Sequence, residues 1–316
     1  MIPYLFMKGE TDEEIKNAVD RFRVLNHFKR SREARNVLKH WCEKYLPKKD
    51  GKPRTYDDVV TAKPDELKEL KEYMYEHRAE FIQYNKELHI DAYSGIRNES
   101  KEHYVICCLY NQMTNNAKKY LIEKLGNRVC PYCNRNYVFS SSGVNTCQLD
   151  HFYSKSHYPI LAASFYNLIP VCATCNQHKS ANDFPYYPHI NDDELLRFSF
   201  TINRADFYKS KDCIDIVVKL SDEAYRPQVN TLKLEEIYQG HRDVVLDIVN
   251  KHRIFSEKYL QTLCQEFDFL DSVQELRELI YNVPLDKDRR NDSNRSTTTP
   301  SPKTQALGKH RGLDYT

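Results

Sequence analysis

The sequence predicts an α+β chain in three structured parts. A mainly helical region occupies 1–126, a cysteine-bearing insert of short strands and one helix occupies 127–190, and a mixed strand and helix region occupies 191–285. Three observations carry that division. Apolar residues recur at three- and four-residue intervals as far as Leu121, then give way to short runs rich in β-branched and aromatic residues. Two CxxC pairs, Cys130/Cys133 and Cys172/Cys175, stand in that second stretch. The alternating runs "LRFSFTIN" and "DCIDIVVKL" follow, before helical spacing resumes.

Taken in order, Thr11 and Glu14 form a capping box ahead of Ile15, Val19, Phe22 and Leu25, which share a helix face. A second helix carries Val37, Leu38, Trp41 and Tyr45 and stops at Pro47. "LPKKDGKPRTYDD" reads as a loop from its Pro, Gly and charge content. Pro64 suits a first helical position and opens a long amphipathic segment through Leu67, Leu70, Met74, Phe81 and Leu88. After a turn at Ser94-Gly95, a fourth helix is expected through Val105, Leu109, Met113, Tyr120 and Leu121, ending near Gly126. In the insert, Tyr137–Phe139 and Cys147–Phe152 flank a Ser/Gly turn and predict a hairpin. "YNLIPVC" predicts a buried strand, and "ATCNQHKSAND" a short helix. Farther on, Leu234, Ile237, Val244, Val245 and Ile248 predict helix, as do Leu260, Leu263, Leu276 and Leu279. Residues 286–316 are polar and rich in Ser, Thr and Pro, the composition of a disordered tail.

At 40% hydrophobic and 29% charged residues, the 316-residue chain has the composition of a soluble globular protein. No run approaches the roughly 20 apolar residues that span a bilayer. The start, "MIPYLFMKGETDEE", lacks a basic segment and a small-residue cleavage site. A cytoplasmic protein is therefore expected, in a compartment where thiols stay reduced. The ten cysteines then read as metal ligands or packed thiols. A net charge of +2 means that any affinity for nucleic acid has to come from a local basic surface.

Four thiolates in two CxxC pairs suit a tetrahedral structural zinc, because each pair wraps one edge of the ion. Residues 134–171 separate the two pairs, so a small substructure has to sit between them, clamped at both ends. A closed four-cysteine site leaves zinc no open position and hence no direct chemistry. Cys147 is a nearby spare, whereas Cys42, Cys107, Cys108, Cys213 and Cys264 read as packing.

Asp150, His151 and Asn167 stand between the pairs, and Asn176 directly follows the second. With "LDHF", "YNLIPVC" and "CNQHKS" in this order, residues 130–183 resemble the HNH nuclease motif. The third name-giving position holds Asn176 rather than histidine. The resemblance implies a ββα-metal fold and a metal-dependent endonuclease that leaves a 5′-phosphate and a 3′-hydroxyl. On that analogy His151 is the general base, since neutral imidazole suits proton acceptance near neutrality. Asp150 and Asn176 hold Mg²⁺ or Mn²⁺ through oxygen, and Asn167 braces the histidine-bearing loop. Adjacent strand residues point to opposite faces, which lets Asp150 and His151 take different tasks. Lys179 shares a helix face with Asn176, either as a phosphate contact or as a solvated lysine. Gln148, two residues before Asp150, stands as an outer group of the same site. His157 and His178 match no motif position and read as structural or exposed, and His189, His241 and His252 receive no role.

The arrangement looks like bacterial HNH effectors of phage defence or restriction, some of which work beside a separate ATPase, as in Septu-type systems. No GxxxxGK[ST] occurs here, so ATP dependence would require another chain. DNA is the expected substrate, with RNA as the other candidate, and the flanking regions have room to bind DNA, form a homo-oligomer or contact a partner. The rival class is a zinc-stabilised nucleic-acid- or protein-binding module whose nuclease site is silent. It predicts binding that is indifferent to His151.

Overall fold

Thr11 opens the first helix as its capping pair requires. Its Oγ1 accepts from the Glu14 amide at 3.3 Å, and the Glu14 carboxylate accepts from the Thr11 amide at 2.7 Å. The structure is a computed structural model, and it describes residues 11–26, 32–77, 105–125, 129–141, 144–189, 196–267 and 272–281. Helices α1 (Asp12–Leu25) and α2 (Arg32–Tyr45) lie where the apolar spacing predicts, with Val19, Phe22, Leu38 and Trp41 buried.

The loop after Leu46 is shorter than predicted. Thr55 makes a second capping box with Asp58 and starts α3 (Tyr56–Val60), so "TYDD" is a cap and first turn. Its acidic residues, read as loop chemistry, sit at a helix N-terminus where the backbone dipole favours them. Next comes α4 (Pro64–His77), with Leu67, Leu70 and Met74 fully buried. Phe81, Leu88 and the Ser94-Gly95 turn lie outside the described residues.

The fourth predicted helix is broken. A helical turn from Val105 tightens into a 3₁₀ turn at Tyr110–Gln112, and Met113 leaves helical geometry at ψ 136°. Helix α5 (Asn115–Leu125) then begins anew. Thr114 causes the restart: its Oγ1 accepts from the Ala117 amide at 3.0 Å and donates to the Leu25 carbonyl at 2.8 Å. One hydroxyl thereby caps α5 and ties it to the end of α1.

The insert also pairs differently from expectation. A two-residue ladder joins β1 (Ser140–Ser141) to β2 (Val144–Asn145), and Thr146 closes it against Phe139. The segment after Cys147 does not continue this hairpin. Instead β3 (Gln148–His151) runs antiparallel to β4 (Leu168–Val171), with His151 opposite Leu168 and Gln148 opposite Val171. Every β4 side chain is buried, whereas Tyr137 and Phe139 are exposed. Pairing with β4 satisfies a backbone that is shut off from water, and pairing with an exposed hairpin would not. Helix α6 (Ala173–Lys179) follows β4 directly, giving two strands and a helix.

Strands β5 (Leu196–Ile202) and β6 (Ile214–Leu220) form the predicted antiparallel pair, followed by α7 (Arg226–Thr231) and α8 (Leu234–Gln239). Side chains of α8 cover the edge of β6: Gln239 exchanges two hydrogen bonds with the Ile216 backbone, and Glu235 accepts from the Val218 amide. By contact, the described residues divide into two compact units, one within 11–207 and 212–242, the other within 208–211 and 243–281. In the second unit, the later apolar spacing appears as α9 (Arg242–Ile254), α10 (Glu257–Glu266) and α11 (Val273–Tyr281).

In the first unit one hydrophobic cluster runs from Val19 to Leu234, so the N-terminal helices and the cysteine-bearing insert share a core. Phe22 packs edge-on against Phe165 at 5.1 Å, Asn26 donates to the Ala163 carbonyl, and the Phe165 amide donates to Val60. These contacts hold the loop between β3 and β4. No helix among the described residues is long and apolar enough to cross a membrane. The predicted tail, 286–316, lies outside them.

Candidate active site

The four cysteines of the two CxxC pairs meet. The Sγ atoms of Cys130, Cys133, Cys172 and Cys175 all lie within 4.8 Å of one another, and all four residues are buried. Cys133 and Cys172 bring their sulfurs to 4.0 Å, close to the ~3.8 Å edge of a tetrahedron built on 2.3 Å zinc–sulfur bonds. The donor set and its spacing fit a structural metal such as zinc. Asn134, at φ 49°, makes the left-handed turn that closes the first knuckle, and its amide donates to the Cys130 carbonyl. Hydrogen bonding from Cys130 lowers the pKa of the Cys133 and Cys172 thiols and raises that of Cys175, so the sulfurs titrate as one group. Tyr238 stacks on Phe198 and donates to the Cys133 carbonyl at 2.6 Å, anchoring the knuckle to the β5–β6 layer. Cys147 is buried but outside the cluster, and burial pushes its thiol up to about 11.

Strand β3, the segment after it and α6 border a cavity of about 650 Å³ lined by Gln148, Asp150, His151 and Asn176 among others. Asp150 and His151 were expected on opposite strand faces, yet both border this cavity. The Asp150 carboxylate turns inward, where it accepts from the Tyr132 hydroxyl at 2.7 Å and pairs with the Lys179 ammonium at 3.2 Å. Burial raises the Asp150 pKa above the ordinary carboxylate range, against the opposing pull of Lys179 and Tyr132.

Lys179 corrects the sequence reading. Rather than facing outward beside Asn176, it is fully buried and donates to the His151 carbonyl at 2.8 Å as well as pairing with Asp150. An ammonium committed to two buried acceptors has a structural partner in place of the predicted phosphate.

Asn167 is fully buried at the end of the loop between β3 and β4. Its Oδ1 accepts from the Tyr153 amide at 2.8 Å, and its Nδ2 donates to the Tyr153 and Leu161 carbonyls. Its own carbonyl accepts from the Phe152 amide. Four bonds from one residue close the chain that follows His151.

The His151 ring lies edge-on to Tyr110 at 4.5 Å, and the Ala162 carbonyl accepts from it. Its Nε2 is buried without a hydrogen-bond partner. Nδ1 is therefore the donor, and Nε2 carries the lone pair. Burial, with Lys155 and Lys179 adding to it, pushes the His151 pKa down to about 3, so the ring is neutral near pH 7. Across the cavity the Asn176 Nδ2 donates to Gln148 Oε1 at 2.6 Å, which leaves the Asn176 side-chain Oδ1 for another partner. His157 and His178 do not border the cavity; His178 Nδ1 lies 3.4 Å from the Leu232 carbonyl.

Tyr132, Tyr110, Lys118 and Lys155 stand at the site without having been singled out from sequence. Tyr132 lies inside the first CxxC, where its role as a carboxylate partner leaves no pattern. Tyr110 and Lys118 come from the helical region before the insert and join the cavity only through the shared core.

This geometry defines the class: residues 130–182 match the family model of the HNH endonuclease, so the chain carries an HNH endonuclease domain there. The chain is also similar to the Septu protein PtuB of Bacillus thuringiensis, at 27% identity over 105 residues. That alignment covers 31% of this chain and 39% of the relative's length. No solved structure matches the chain.

Proposed function

We propose that this chain is a metal-dependent HNH endonuclease that hydrolyses phosphodiester bonds in DNA and serves as the nuclease effector of a bacterial phage-defence system. The observation that carries the reading is the buried His151 Nε2, held neutral and unpartnered beside a cavity that also presents a carboxylate and an amide. The similarity to a Septu protein supports the defence setting, and a separate ATPase subunit would be the partner of that setting.

Nδ1–H, bound to the Ala162 carbonyl, fixes the tautomer in which Nε2 takes the proton from the attacking water. Tyr110 packs edge-on against the His151 ring, and Asn167 braces the backbone of the loop that follows His151. The residues present fit a hard cation. The Asp150 Oδ1 lies 3.4 Å from the Lys179 ammonium, and the Asn176 side-chain Oδ1 is left for another partner while its Nδ2 bonds Gln148. Asp150 and Asn176 would hold a divalent ion there, and it would supply charge stabilisation at the phosphate. The four cysteines serve folding, with zinc as the structural ion.

One observation favours the rival binding module: the Lys179–Asp150 pair already neutralises the carboxylate that the metal needs. Cleavage of supercoiled plasmid with Mg²⁺ or Mn²⁺ separates the two readings. Nicking that disappears in His151→Ala and with EDTA is expected. Cleavage that persists in His151→Ala sinks the assignment, and binding without turnover, indifferent to that change, selects the rival.

A further inference from the structure

We propose that Lys118 and Lys155, both lying over the ring of Tyr110, bind a backbone phosphate of the nucleic-acid substrate in the His151 cavity. The proposal rests on the nuclease reading above and deepens it.

The Lys118 Nζ lies 4.3 Å from the Tyr110 ring centroid and the Lys155 Nζ lies 5.2 Å from it, and all three residues border the cavity. The same ring meets His151 edge-on at 4.5 Å, so both ammonium groups stand one aromatic ring away from the proton acceptor. Bringing two like charges together over a partly buried ring is unfavourable in itself, and burial with the neighbouring Lys155 lowers the Lys118 pKa. Something has to offset that arrangement.

Among the described residues, neither ammonium has a carboxylate partner. Lys119, next on the same helix, shows the ordinary alternative: it is exposed and pairs with Glu123 at 3.6 Å. The cavity's carboxylate, Asp150, is already matched by Lys179 at 3.2 Å. With Asp150 matched by Lys179, the ammonium groups of Lys118 and Lys155 are left uncompensated at the cavity. Tyr110 explains how they are kept there. A ring face attracts an ammonium without cancelling its charge, as a glutamate would. An anion is the missing counterpart, and a cavity of about 650 Å³ has room for a phosphodiester with its adjoining sugar. Lysines repel a metal ion, so these two residues are distinct in task from Asp150 and Asn176. Lys118 lies on α5, outside residues 130–182, so the N-terminal helices would contribute to substrate binding.

The test measures binding of a short fluorescent DNA to the full chain in EDTA, across about 50 to 200 mM salt. Lys118→Gln and Lys155→Gln keep the side-chain stems and remove the charges. Each is expected to weaken binding about tenfold and to reduce the slope of log affinity against log salt by about 0.7–0.9. Lys119→Gln is the control and should leave both unchanged. Wild-type affinity and slope in the two variants overturn the proposal, as does a parent protein that does not bind DNA. Binding with the expected slopes but no cleavage in Mg²⁺ or Mn²⁺ overturns the nuclease reading and leaves the phosphate site standing.

Discussion

Lys179 and Asp150 form a buried ion pair, and such pairs are asymmetric in their energetics. Removing one partner leaves an uncompensated charge in a poorly solvated site, at a cost of about 3–5 kcal/mol. Lys179→Met is therefore expected to destabilise the insert by that order in chemical denaturation, and Asp150→Asn in the same chain should recover a large part of it. Additive losses in the double variant would mean that the pair contributes nothing as a pair. Tyr132 shares the carboxylate, so recovery should be partial. At this scale the sequence named the residues that border the cavity, Asp150, His151 and Asn176, but misread the environment of Lys179. The spacing of Asn176 and Lys179 places them near each other on a helix, yet cannot say which side of that helix the core covers.

At the scale of elements, the loop between β3 and β4 depends on Asn167 and on the clamp of cysteines. Asn167→Ala strands one buried amide and two buried carbonyls, each costing about 1–3 kcal/mol. A fall in stability of about 3 kcal/mol, weakened cleavage and retained zinc are expected, read by denaturation, plasmid nicking and metal analysis. Unchanged cleavage would separate the brace from the chemistry. Cys133→Ser or Cys172→Ser should instead lose zinc and the fold of the insert together, because structural zinc supplies folding energy to so small a unit. Normal folding with full zinc in either variant would remove the clamp argument. These contributions were partly legible: the doubled CxxC and the central asparagine stand in the sequence in plain order. The pairing of β3 was not. Two strand-like runs flanking a Ser/Gly turn suggest a hairpin, and only the burial of β4 shows why β3 turns to the more distant partner. The break before α5 has a similar origin, since Thr114 acts as a cap because Leu25 is there to receive its hydroxyl.

For the molecule as a whole, histidines whose ring nitrogens are shut off from water contribute to the response to acid. His189 packs edge-on against Tyr166 and Tyr187, and burial pushes its pKa down to about 3, as at His151. In the unfolded chain both titrate near the ordinary value, so the unfolded state takes up protons first as pH falls. Stability should then decline from about pH 6.5 toward pH 3, by up to about 1.4 kcal/mol per pH unit for each histidine. His189→Phe is expected to remove one such contribution, so that its stability relative to wild type grows as pH is lowered. A difference that stays flat between pH 6.5 and 4.5 would count against a neutral His189 ring.

The sequence by itself determined the class of the protein. Groups suited to hold a metal or accept a proton have few chemical substitutes, so the two CxxC pairs, Asp150-His151, Asn167 and Asn176 are readable as text. Periodicity likewise revealed most helices and the β5–β6 pair, because burial of one face imposes a repeat on the residues. Tertiary structure alone decided which groups surround those motifs. Tyr110 and Lys118 reach the cavity from helices before the insert, Tyr132 reaches Asp150 from within a cysteine knuckle, and Lys179 turns inward. Each of these depends on contacts between segments far apart in the chain, and such contacts impose no local spacing for a sequence to display.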